Sequence, residues 1–344
     1  MKLAEAWSLR CGGQFLDEVA EALYDGGAWI RPDCSFPLGL NEAIADRLRA
    51  ERWQVDQLAI SAKDPTPVAV VASHFDVLPT RLALANQTLA QHGVVLDLRD
   101  LPAEQVEAWS SFVASYAQTR RAEATGISLL VIADTPPPPD IRPVHWHGRI
   151  RRADAGLWAE VHALNERAEP LGDLTHAIAV ELLGWRLDLA EVFMRAGLQD
   201  VLNPLGWLER REEVAQTGAI FFNGRAFECP ILLMRNGHRE TLNNRLWRAH
   251  LAAIFPWIEE QRQLVLDQYE SLLVVSDKHR ETLKVYEVRE LEISDIARQL
   301  KALNVVPREV QDSYFAMGRI RKALAHRKPA EAHDLKLALQ AVLP

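Results

Sequence analysis

Residues 26–51, GGAWIRPDCSFPLGLNEAIADRLRAE, carry a short apolar stretch into a loop, then into a segment with Leu40, Ile44 and Leu48 at helical spacing. That layout suits a phosphate-binding loop, in which glycines let backbone N–H groups converge on phosphate oxygens while a Lys and a Ser or Thr hydroxyl supply charge and a magnesium ligand. Between Ile30 and Leu40 there is one glycine, Gly39, and no lysine, and Cys34 and Ser35 do not replace that set. The expectation is the shape of a nucleotide site without its chemistry, and no cofactor. Asp97 and Asp134 each follow an apolar run and could form a metal site, because strand C-termini are where α/β sheets bind ligands. His145 and His147 form an H-x-H, but a period of two sets Val144, Trp146 and Ile150 on one face and His145, His147 and Arg149 on the other. A strand with a polar face accounts for them, and no third zinc ligand can be assigned. Cys34 has no assignable His partner and there is no G-x-S-x-G elbow, so nucleophilic catalysis finds no support.

The elements that would position these residues fall into three regions: 1–150, 151–243 and 244–344. In the first, AWIR, PVAVVAS, GVVLDL and GISLLVIA are short runs apolar on both faces and separated by helical stretches, the pattern of a parallel sheet covered by helices in three layers. DTPPPPDIRP, residues 134–143, ends the last strand and marks a boundary. The middle region is helical, with breaks at Gly184 and Gly197, and contains Asn223-Gly224 between apolar runs, a hairpin signal. The last hundred residues read as an all-α bundle whose first helix kinks at Pro256.

Composition bounds the function. The 344 residues are 48% hydrophobic and 25% charged, with no apolar run long enough for a membrane span and no signal-peptide core at the start, so a cytoplasmic protein is expected. Three widely spaced cysteines match no disulfide framework or zinc ribbon. The net charge of −8 argues against a surface given over wholly to nucleic acid. Charge is uneven, however: 16 Lys and Arg face 14 Asp and Glu from Arg245 onward, against 23 and 33 before it. The basic character peaks at residues 319–328, RIRKALAHRK, with five cationic side chains and no acid.

Two resemblances rest on these residues. In its order of elements, the chain up to about residue 240 resembles the core of an AAA or STAND-type P-loop ATPase, with GVVLDL like a Walker B strand ending in Asp97 and SLLVIAD like the following sensor strand. An unrelated doubly wound α/β domain reads equally well. The stretch RKALAHRKP, residues 321–329, resembles the R-x(4 to 6)-H motif of the HEPN superfamily, over about 245–344. In catalytic members of that family an Arg and a His from helices paired across a dimer cleave RNA without metal. Carried over, Arg321 would stabilise the charged phosphate transition state and His326 would be the acid/base group, with Arg319, Lys322, Arg327 and Lys328 as contacts to the RNA backbone. Lys322 departs from the small polar residue that many catalytic members carry after the Arg. On a single helix His326 would lie about 140° from Arg321, so a dimer or a frayed helix end at Pro329 would be needed to join them. The alternative is a solvated basic helix end, favoured by the helix dipole.

The combined expectation is a non-hydrolysing regulatory or scaffold component of a bacterial defence or conflict system, homo-oligomeric, with protein partners and no membrane. Trp247, Phe255 and Trp257 are the expected anchors of self-association, with the core as their alternative place. A metal-independent ribonuclease toxin using Arg321 and His326, with RNA as its partner, is the alternative function.

Overall fold

A computed structural model gives the fold and describes residues 3–32, 36, 37, 39–64, 66–87, 91–123, 125–163, 169–213, 215 and 219–340. The chain divides into two compact units, Met1–Asp154 and Ala155–Pro344. Strands β1 (Gly27–Arg31), β2 (Gln54–Leu58), β3 (His92–Asp97), β4 (Ser128–Ile132) and β5 (Arg142–His145) form one sheet of the first unit in the order β2-β3-β4-β1-β5. Every pairing is parallel. Helices α1 (Arg10–Tyr24), α2 (Leu40–Ala50), α3 (Pro67–His74), α4 (Arg81–Ala85) and α5 (Ala103–Glu123) flank it, an α/β arrangement in three layers.

The three central strands are apolar on both faces because both are covered. Trp29, Val94, Leu96, Leu129 and Val131 pack with Trp109, Val113 and Tyr116 of α5 and with Val71 and Leu84. The alternate residues Ala28, Ile30, Val95 and Leu130 are buried on the side of α1 and α2. Trp29 is fully buried, and its indole N–H donates to the Thr135 carbonyl at 2.9 Å, which ties the start of the proline-rich segment to the sheet.

Two strand expectations are corrected. PVAVVAS is not a strand but helix α3, preceded by Thr66 with Pro67 at its first position, where the fixed φ of proline suits a helix and its missing N–H is not needed. The strand that fills this place is QVDQL, an edge strand with no fully buried residue, so it lacks the apolar run that marks its neighbours. The sheet also continues past the prolines: β5 pairs with β1, and the first unit runs on to Asp154. Val144 and Trp146 are buried while His145 and His147 are exposed, as the period of two requires.

The chain leaves the first unit in α6 (Arg152–Val161). Among its described residues the second unit is helical apart from one hairpin. Helix α7 (Leu171–Ile178) runs into a π-helical turn, Ala179–Leu183, that stops at Gly184, and α8 (Leu187–Met194), α9 (Leu198–Leu202) and α10 (Pro204–Glu209) follow. Gly184 has φ +63°, and a Cβ there would sit 2.7 Å from the Phe227 ring, so both the turn and the packing require glycine. Strands β6 (Ala219–Phe222) and β7 (Arg225–Glu228) are joined by Asn223 and Gly224, both at positive φ, the two-residue turn that the Asn-Gly pair favours. Helices α11 (Pro230–Arg235), α12 (Arg239–Tyr269), α13 (Ile293–Leu303), α14 (Arg308–Ala325) and α15 (Ala332–Gln340) complete the unit. The junction expected at 243/244 falls in the second turn of α12, and α14 packs against α12, α13 and α15. Pro256 lies inside α12 with Ala252 exposed one turn before it, so the carbonyl left without an N–H partner can meet water.

His250 on α12 is fully buried, and its Nδ1 accepts the Ala330 N–H at 2.9 Å, holding the α14–α15 connection. Burial lowers its pKa to about 3. The unfolded chain takes up this proton below pH ~6.5 and the folded chain does not, so this contribution is complete above ~6.5 and is lost at about 1.4 kcal/mol per pH unit as pH falls toward 3. Urea unfolding of His250→Asn is therefore expected to show a shallower loss of stability between pH ~6.5 and ~4 than the wild type, and parallel curves would refute the assignment.

Candidate functional site

The carboxyl end of the sheet and the C-terminal end of α14 are the two places where sequence-marked residues meet charged partners. At the sheet, Gly39 adopts the left-handed conformation at the start of α2, and its carbonyl accepts the Ala43 N–H at 3.0 Å. Cys34 and Ser35 lie outside the described residues. Asp97 closes β3, and Arg99 clamps its carboxylate: Nε donates to Oδ1 at 2.9 Å, Nη2 to Oδ2 at 2.5 Å, and the Arg99 backbone N–H to Oδ1 at 3.3 Å. Burial raises the Asp97 carboxyl, but the guanidinium and backbone donors outweigh burial and hold it below the usual carboxylate range. The hydrogen bonds to Asp97 raise Arg99 in turn, with further help from the charges of Asp100 and Asp134. Asp97 is thus held by a guanidinium that also feels the charge of Asp134. Among the described residues no group of three or more His, Cys, Asp or Glu is disposed to hold a metal ion, His145 and His147 included.

Neither described cysteine is set up as a nucleophile. Cys11 and Cys229 are buried free thiols. Burial, with Asp154 beside it, pushes the Cys11 thiol up to about 12, where the reactive thiolate is scarce.

At the other end of the chain Arg321 lies in the last turns of α14, half-buried. Its Nε donates to Glu259 Oε1 on α12 at 2.8 Å, Nη1 meets Glu292 just before α13, and the guanidinium stands 5.8 Å from the Phe255 ring centroid. Burial lowers Arg321, but the two carboxylates win and raise it. Burial raises Glu259, and Arg321 and Arg262 overturn that and lower it. His326 is the residue after the last helical turn; its backbone N–H bonds to the Lys322 and Ala323 carbonyls, and its side chain is exposed. Arg321 therefore bonds to Glu259 and Glu292, not to His326.

The helix end is built rather than frayed. Arg327 has φ +57°, its N–H bonds to the Leu324 carbonyl at 3.1 Å and the Lys328 N–H to the Ala323 carbonyl at 3.0 Å, the two bonds of a Schellman cap. Trp247 adds its indole N–H to the Leu324 carbonyl at 2.8 Å. Of the other expected RNA contacts, Arg319 is paired with Asp334 at 2.7 Å, Lys322 is exposed, and Arg327 and Lys328 line a cavity of about 750 Å³. Trp257 is buried and Phe255 half-buried, so these aromatics have places inside this unit.

No family model matches the chain, and no curated protein matches it. The residues that sequence reasoning missed are Arg99, Glu259 and Glu292. Arg99 left a signal, a cation two positions past a strand-ending acid. The two glutamates left none, since each reaches Arg321 from a different, distant segment.

The Schellman cap places an arginine where glycine is the unstrained residue. Arg327→Gly is expected to raise stability by about 1 kcal/mol in urea unfolding, and a loss of stability would contradict this account of the helix end.

Proposed function

We propose that the chain is a non-hydrolysing regulatory or scaffold component that works through protein–protein contacts, of the kind met in bacterial defence or conflict systems. In this reading a degenerate ATPase-type α/β unit is joined to a HEPN-like helical region. The strand order supports the first half: the loop-bearing strand β1 is an inner strand, the sensor-like β4 lies beside it, and β3 with its terminal Asp97 lies next. The single observation that carries the non-hydrolysing part is the bidentate Arg99–Asp97 pair. A carboxylate that would take a magnesium ion in an active ATPase is held by the chain's own cation, and the loop between Ile30 and Leu40 offers no lysine to draw in phosphates. Self-association and the defence context rest on the two resemblances.

Calorimetric titration with Mg-ATP tests this directly. Heats no larger than dilution are expected, and micromolar binding that disappears in Asp97→Ala would sink the reading.

The ribonuclease alternative draws on the exposed His326, set among exposed cations at the end of α14. It requires Arg321 to exchange Glu259 and Glu292 for a phosphodiester. Labelled RNA incubated with the protein in EDTA is expected to remain intact. Cleavage that resists EDTA and is abolished by either Arg321→Ala or His326→Ala would replace the scaffold reading with the toxin reading.

A further inference from the structure

Arg245 on α12 is a guanidinium taken out of water, with only 6% of its surface exposed. Its Nη1 donates to the Glu228 backbone carbonyl at 3.0 Å, and its plane lies over the Phe227 ring with CZ 3.4 Å from the centroid. Among the described residues no carboxylate forms an ion pair with it. Burial pulls its pKa down to about 10, and the Glu228 carboxylate and Cys229 offset only part of that. A buried cation in this state is costly unless an anion meets it.

The surroundings supply a place for one. Arg245 lines a cavity of about 240 Å³ together with Arg225, Arg248, Thr241 and Asn244. Arg248 is half-buried and likewise has no carboxylate partner among the described residues, while Arg225 donates one hydrogen bond to Glu181 at 3.4 Å and keeps its remaining donors. Within the cavity lining one acid, Glu240, stands against the three guanidinium groups, with Glu181 on Arg225 and the charge of Glu228 near Arg245 from outside it. Arg245 and Arg248 lie three positions apart on α12, with Thr241 and Asn244 on neighbouring turns, so a rigid helix presents two cations, a hydroxyl and an amide to one space. Arg225 comes from the hairpin, where the two-residue turn sets its register opposite Phe222.

The donor count selects among anions. One planar guanidinium suffices to satisfy a carboxylate in a bidentate pair, whereas three forks with a hydroxyl and an amide suit the three outer oxygens of a phosphoryl group. A space of 240 Å³ takes that group and little more. The adjoining cavity of about 750 Å³ shares Glu240 and Asn244 with it and adds Asn203, Asn243, Arg327 and Lys328. Its size fits a small molecule, and its wall sets the amides of Asn203, Asn243 and Asn244 beside the apolar Leu202, Leu205 and Leu246.

We propose that this pair of cavities is a binding site for a phosphate monoester of a small molecule, with the phosphoryl group on Arg225, Arg245 and Arg248 and the body against Asn203, Asn243 and Asn244. The site lies wholly within the second unit and is independent of the reading of the sheet as a degenerate ATPase. It also lies apart from the Arg321–Glu259 pair, whose residues do not line either cavity.

Calorimetry on the full chain tests it with inorganic phosphate, ribose 5-phosphate, adenosine 5′-monophosphate and a single-stranded RNA oligonucleotide. At least one monoester is expected to bind about tenfold or more tightly than inorganic phosphate. Arg248→Gln should weaken that binding by about tenfold or more with an unchanged thermal midpoint, since Arg248 has no ion-pair partner to lose among the described residues. Arg245→Lys, which retains the charge but not the fork, should weaken it as well. Monoesters that bind no better than inorganic phosphate, or affinities unchanged in Arg248→Gln, would overturn the assignment. RNA bound more tightly than every monoester at equal phosphate concentration would also overturn it, in favour of a polymer surface.

Discussion

A guanidinium withdrawn from water must be met by acceptors or anions, and where this chain supplies them decides how its functional regions read. Half-buried Arg321 is met by Glu259 and Glu292, and even the more exposed Arg99 and Arg319 are met by Asp97 and Asp334. In each case a residue that could have served a nucleotide or an RNA is engaged by the protein itself. Arg245 and Arg248 are the contrast, cations set around a cavity without a carboxylate of their own among the described residues. The pairing pattern therefore moves attention from the motif-bearing positions to a part of the second unit that no motif marks.

That pattern is imposed by the helices and strands that hold the charges. Asp97 can be clamped by a residue two positions on because β3 ends there and the chain turns back at once. Arg321 meets two acids because α14 packs against both α12 and α13, which bring Glu259 and Glu292 to the same face. Energetically these pairs are modest: Arg99 is 43% exposed on its side chain and Glu292 53%, so solvent screening holds each to about 1 kcal/mol or less. Their importance is in occupancy, since a carboxylate already bonded at both oxygens must lose those bonds before it can take a metal ion. Stability comes instead from apolar burial, above all the doubly covered strands β1, β3 and β4 in the first unit and the buried face of α12 in the second.

Much of the fold was legible from pattern. The runs of β1, β3 and β4 are apolar on both faces because helices cover both, and that physical cause acts residue by residue along each strand. The Asn-Gly turn and the helix stop at Gly184 follow from local backbone preferences in the same way, while Gly197 lies in the expected break as the residue that precedes α9. Edge strand β2 was not legible, since a strand with one neighbour and a solvated face needs no apolar run. The helix α3 was misread because valines favour strands on average, while a proline at the first position and burial of only Val71 and Ala72 favour a helix here.

The sequence by itself determined that the β1–α2 loop lacks a phosphate-binding set, that the C-terminal third carries the basic charge, and that a parallel sheet precedes a helical region. These are properties of residue identity and short-range period. Only the tertiary structure decided which charges are already paired. Glu259 is 62 positions from Arg321, and Arg225 comes to the same cavity as Arg245 from 20 positions away; contacts across such separations depend on how elements pack, which no local pattern encodes.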